Sequence, residues 1–83
     1  MNKIKTGKFI AKLRNEKNLT QEQLAEKFNI SYKTVSKWEC GTIPDFETME
    51  KLSKELDTSL YELSIGEKVD KEITFKRYTT IYK

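Results

Sequence analysis

The chain has 83 residues, 36% of them apolar and 35% charged, which allows one small domain with a tail. One cysteine and no histidine exclude an internal disulfide, leave no zinc cluster and imply no cofactor. No apolar run approaches the ~20 residues of a membrane span, and no apolar signal core follows the basic start MNKIKTGK, so a cytoplasmic protein is expected.

Helix one is expected from about Thr6 or Gly7 to Lys17, with Ile10 and Leu13 inward and Phe9 at the edge of the core. Thr20 and Gln23 have the spacing of a capping box that opens helix two, near Gln21 to Phe28. Leu24, Ala25 and Phe28 give it an apolar stripe. Asn29 tolerates left-handed dihedrals and Ile30 supplies an apolar plug, so a tight turn follows. Ser31 can then cap helix three, which runs to Glu39 with Val35 and Trp38 inward. Its other positions, Tyr32, Lys33, Thr34, Ser36 and Lys37, carry hydrogen-bonding or cationic groups. Such a rod fits the DNA major groove, which admits one α-helix.

Gly41 stops that helix and Pro44 forbids its continuation. Asp45 can cap helix four, where Phe46, Met49, Leu52 and Leu56 recur at spacings of three and four. Ser59 with Glu62 makes a second capping box, opening a short helix five that carries Leu60 and Leu63. Ser64-Ile65-Gly66 is a natural boundary, dividing a domain of residues 1–66 from a tail of residues 67–83. In the tail Ile73, Phe75, Thr79 and Ile81 alternate with polar or aromatic residues, which favours a strand. A lone strand needs a partner. Three readings stand: a disordered tail, a tail that pairs with another copy, or the start of a longer region.

Charge divides the chain unevenly. Residues 1–37 hold nine bases and three acids, a net +6, whereas residues 38–66 hold two lysines and seven acids, a net −5. A basic half that ends with helix three matches the electrostatic footprint of a nucleic-acid binder. The plain alternative is that lysines and glutamates solvate helix surfaces. Catalysis lacks its usual groups, since the lone cysteine has no obvious base and no glycine-rich phosphate loop is present. No enzyme is expected.

FIAKLRNEKNLTQEQLA, KTVSKWE, a Gly-x-x-Pro loop and TSLYELSIG occur in order and at the right spacing. In these the chain resembles the phage-repressor-like helix-turn-helix family, of Cro and lambda-repressor or xenobiotic-response-element type. The resemblance covers roughly Thr6 to Gly66 and implies an all-α, compact five-helix domain whose third helix lies in the major groove. It also implies site residues. Tyr32, Lys33 and Lys37 match positions that face base edges, and Ser36 could touch either base or phosphate. Either lysine could donate to guanine O6 and N7, while Tyr32 could meet a phosphate or a thymine methyl. Solvated surface charge is the alternative for both lysines.

Phosphate contacts are expected from Thr20, Gln21 and Gln23 at the start of helix two, with Thr34 and Thr42 as further candidates. Gln21 matches a glutamine that commonly clamps the backbone in the family. Arg14 and Glu39 match positions that form a partly buried ion pair, a structural role. Cys40 departs from the family, standing where arginine or asparagine is common. The implied function is a sequence-specific transcriptional regulator of double-stranded DNA, acting as a homodimeric repressor. The competing reading is an antitoxin-type interaction module that binds a partner protein through residues 67–83. Binding to DNA that survives loss of those residues, with partner capture that does not, would favour it.

Overall fold

In the computed structural model, which describes residues 1–69, the elements are α1 (Lys3–Glu16), α2 (Gln21–Glu26), α3 (Tyr32–Glu39), α4 (Phe46–Glu55) and α5 (Leu60–Ile65). No strand occurs among the described residues. Each helix opens on a side chain that takes up an otherwise orphaned backbone N–H. Asn2 accepts from Lys5, Thr20 from Gln23, Ser31 from Lys33, Asp45 from Thr48 and Ser59 from Glu62. At Thr20 and Ser59 the bond is returned by the side chain at the third position, so both capping boxes are complete.

Two boundaries differ from the sequence expectation. α1 starts at Lys3, because Asn2 caps it a full turn ahead of Thr6. Thr6 is instead completely buried, and its hydroxyl donates to the Leu63 carbonyl at 2.7 Å. α2 ends at Glu26 and passes into a turn that closes at Asn29, whose φ of 54° lies in the left-handed region.

α3 packs on α1 and α2, while α5 packs on α1 and α4. Ile10, Leu24, Val35, Leu52 and Leu63 form the fully buried centre of one core. Phe9 belongs to it as well, at 4% exposure, and not to its edge. Phe28 meets Trp38 edge-on, with ring centroids 5.8 Å apart, which fills the angle between α2 and α3.

Phe46 is the main correction to the expected core, being 71% exposed. It has the helical phase of Met49, but it is the first residue of α4 and no element covers that end. With Met1, Ile43, Pro44, Leu60 and Tyr61 it lines an open apolar groove of about 450 Å³.

Gly66 ends α5 in the left-handed conformation, with φ 74°. The next residues turn back on the domain. Lys5 pairs with Glu67 at 2.9 Å, and the Val69 N–H donates to the Glu62 carboxylate at 2.8 Å. Residues 70–83, which hold the expected strand and most of the segment expected to bind a partner, lie outside the described residues.

Candidate nucleic-acid interface

Eight residues in two turns make α3, and helical phase decides most of what it shows to solvent. Val35 and Trp38 are buried, so the opposite arc carries Lys33 and Lys37, both exposed, while Tyr32, one turn before Val35, is exposed because it opens the helix. Ser36 and Thr34 are half-buried at the flanks of that arc. Lys33 and Lys37 stand one turn apart, and neither forms an ion pair with another described residue. By contrast Lys5, Lys17, Lys27 and Lys51 each have a carboxylate within reach. Lys3, Lys8, Lys12, Lys54 and Lys68 are likewise without an ion pair among the described residues, so what distinguishes Lys33 and Lys37 is that one short helix presents both on the same face.

What holds α3 at its angle lies at its far end. There α1 crosses so closely that a Cβ added to Gly7 would stand 2.5 Å from the Trp38 carbonyl oxygen and 2.8 Å from that of Glu39. The same end is tied by charge. Arg14 donates from Nε to Glu39 Oε2 at 2.6 Å and from Nη2 to Oε1 at 3.1 Å, a two-pronged pair about nine-tenths removed from solvent. A third guanidinium bond, Nη1 to the Leu19 carbonyl at 2.7 Å, reaches the linker ahead of α2. One arginine thus fixes both helices of the turn relative to α1.

Gln21, the first residue of α2, is half-buried and joins this cluster, its Nε2 donating to Glu39 Oε1 at 3.0 Å. Thr20 and Gln23 are exposed beside it, occupied with each other in the capping box. Thr42 is exposed in the loop after α3, with its N–H bonded to the Lys37 carbonyl. Thr20, Gln21 and Gln23 therefore lie together, with Glu39 beside Gln21, and Thr42 follows Glu39 by three residues in the loop past the same end of α3. Cys40, next to Glu39, is an exposed free thiol.

Two features of the domain were not legible in the sequence. Gly7 appears there only as one residue of a helix; its close approach to α3 is visible only once both helices are placed. Glu62 is legible there as a capping residue alone, yet it is a buried residue, 6% exposed, and its carboxylate also accepts from the Thr58 hydroxyl and the Val69 N–H. The Val69 N–H, then the Thr58 hydroxyl, hold its pKa at about 2 against a usual 4.5. Asp45 is lowered as well, by its hydrogen bonds to Thr48. Among the described residues no cluster of Cys, Asp and Glu could hold a metal ion, and no helix is long and apolar enough to cross a membrane.

A family model described as helix-turn-helix matches residues 10–63. Over 61 residues the chain is 43% identical to the HTH-type transcriptional activator BcrR of Enterococcus faecalis, covering 72% of this chain and 30% of that protein. It is 37% identical over 65 residues to multiprotein-bridging factor 1 of Candida albicans, covering 77% of this chain and 43% of the relative. It is 34% identical over 64 residues to the endothelial differentiation-related factor 1 homolog of Danio rerio, covering 76% of this chain and 44% of the relative. The chain spans less than half the length of each of these relatives.

Proposed function

The chain belongs to the helix-turn-helix family of Cro and lambda-repressor type, and on that premise we propose that it regulates transcription by reading double-stranded DNA with α3. The observation that carries this is the outward arc of α3, where Lys33 and Lys37 stand unpaired among the described residues beside Tyr32 and Ser36. In the major groove these four side chains meet base edges. A bidentate lysine contact to guanine discriminates by ~1–3 kcal/mol. Thr20, Gln21, Gln23, Thr34 and Thr42 hold the backbone phosphates on either side, which fixes register without reading sequence.

The reading unit is a homodimer. One short helix reads too few bases for a specific site, and two copies on a pseudo-palindrome place two reading helices about one helical turn apart. The groove at Phe46 and Tyr61 is the surface that fits a second copy. Phe and Tyr bury ~150–250 Å² each when fully covered, and here they are 71% and 64% exposed, with Met1 at 73%. Two such patches together come to somewhat under ~1,000 Å², the lower bound for a stable interface. The copies therefore associate weakly in solution and pair on DNA.

Occlusion of a promoter needs binding alone, whereas activation needs a further surface that engages the transcription machinery. The similar Enterococcus protein is named an activator, and this chain matches 30% of it. We propose repression because occlusion needs only the DNA contact that α3 supplies.

Selection of bound duplexes from a random library tests this, with wild type and a Lys33→Ala, Lys37→Ala variant in parallel. A two-fold symmetric motif that collapses in the variant is the expected result. Enrichment in both that responds only to salt would overturn sequence-specific reading.

A further inference from the structure

Glu39 is the last residue of the reading helix, yet its carboxylate is bonded to neither DNA-facing lysine. Oε2 takes Arg14 Nε at 2.6 Å, and Oε1 takes both Arg14 Nη2 at 3.1 Å and Gln21 Nε2 at 3.0 Å. An acid about nine-tenths out of solvent thus links α1, the first residue of α2 and the end of α3.

The geometry points to Glu39 as a positioning residue for DNA binding, acting through the amide of Gln21. This rests on the reading of Gln21 as a phosphate contact given above. A glutamine amide has one accepting and one donating end, and a free one presents either. A phosphate only accepts, so half of those orientations are useless to it. A carboxylate only accepts as well. By holding Nε2, Glu39 excludes the flipped amide, whose oxygen would face its own charge. One amide hydrogen is then committed to Glu39, and the second stays available as a donor on a side chain already in place. Ordering that side chain before DNA arrives removes part of the entropy cost of the contact.

Arg14 makes the arrangement possible. An unpaired carboxylate beside a phosphate would repel it, and the two-pronged guanidinium cancels that charge. The seat of the reading helix and the hold on the backbone are therefore the same cluster. A helix displaced at Glu39 would also misdirect Gln21.

Glu39→Gln tests this, because it keeps the shape of the side chain and removes its charge. If Glu39 were only a structural anchor of α3, any change in binding would be the same whether or not the Gln21 amide is present. As a positioning residue, its loss lowers affinity for the duplex enriched by the wild-type protein, by about three- to tenfold. That loss disappears in a Gln21→Ala background, whereas the thermal destabilisation by Glu39→Gln persists there. Unchanged or tighter binding, or an equal loss in both backgrounds, overturns the proposal.

Should Glu39→Gln not fold, the side-chain amide protons of Gln21 in the wild-type protein decide the matter. Slow exchange of one proton, with a shift of the other on adding the duplex, supports positioning. Rapid exchange of both overturns it. Lys33→Ala with Lys37→Ala is run alongside. If that variant binds as wild type does, the DNA reading itself fails; if it loses binding while Glu39 and Gln21 do not couple, only the role of Glu39 fails.

Discussion

Helix α1 is seated twice, once against α3 and once against α5, and the two seats are built differently. Against α3 it offers a missing side chain, Gly7, and a buried charge, Arg14 on Glu39. Against α5 it offers neutral polar contacts in the interior, chiefly the Thr6 hydroxyl on the Leu63 carbonyl, and an exposed ion pair, Lys5 with Glu67. Exposed pairs of that kind contribute ~0–1 kcal/mol. On the proposed function, the first seat aims the helix that meets the groove; the second closes the domain. Damage to the first should reach DNA recognition, and damage to the second should reach stability alone.

Gly7→Ala is the largest test of this difference. Alanine ordinarily stabilises a helix by ~1 kcal/mol over glycine. Here the added methyl meets backbone oxygen that cannot swing aside, so the sign reverses. We expect a loss of about 2–3 kcal/mol in urea unfolding, and weakened DNA binding even in the folded fraction, read by titration at low temperature. Binding at wild-type strength per folded molecule would remove the distinction between the two seats.

Thr6→Val comes next. It keeps the shape and leaves the Leu63 carbonyl with one partner fewer, at a cost of about 1–2 kcal/mol. The folded fraction should bind DNA as wild type does, measured in the same titration.

A third test sharpens the α5 side through pH. The Glu62 carboxylate has its pKa lowered in the folded state, so it contributes stability above its unfolded pKa, near 4.5. That contribution fades as pH falls from there through about 2. Glu62→Gln should therefore melt below wild type at pH 7, and the two melting curves should converge as pH drops from 4.5 toward 2. A constant gap across that range would assign the effect to packing.

Local signals were legible in the sequence and distant ones were not. Thr20 with Gln23 and Ser59 with Glu62 could be read as capping boxes because all their partners lie within three residues. Asn29 could be read as a turn because its left-handed backbone is a property of one residue. The inward phase of Val35 and Trp38 was legible from periodicity, and with it the composition of the outward arc. Phe46 misled because periodicity gives the angle around a helix but not whether anything covers that level of it. Gly7, and the second role of Glu62, depend on contacts with residues far along the chain or on other elements. The bond from Gln21 to Glu39 joins residues 18 apart, and no periodicity encodes it. Which base each side chain of α3 meets is a property of the complex.

Capping at all five helix starts has a kinetic consequence. Asn2, Thr20, Ser31, Asp45 and Ser59 each supply their helix with a start signal that needs no tertiary contact. Nucleation is the unfavourable step in forming a helix, and a capped first turn lowers it. Folding then becomes the docking of segments already biased toward their final form. Chains dominated by such local contacts fold in microseconds to milliseconds. A protein that leaves Phe46 and Tyr61 uncovered gains from that speed, because its core leucines spend little time exposed with them.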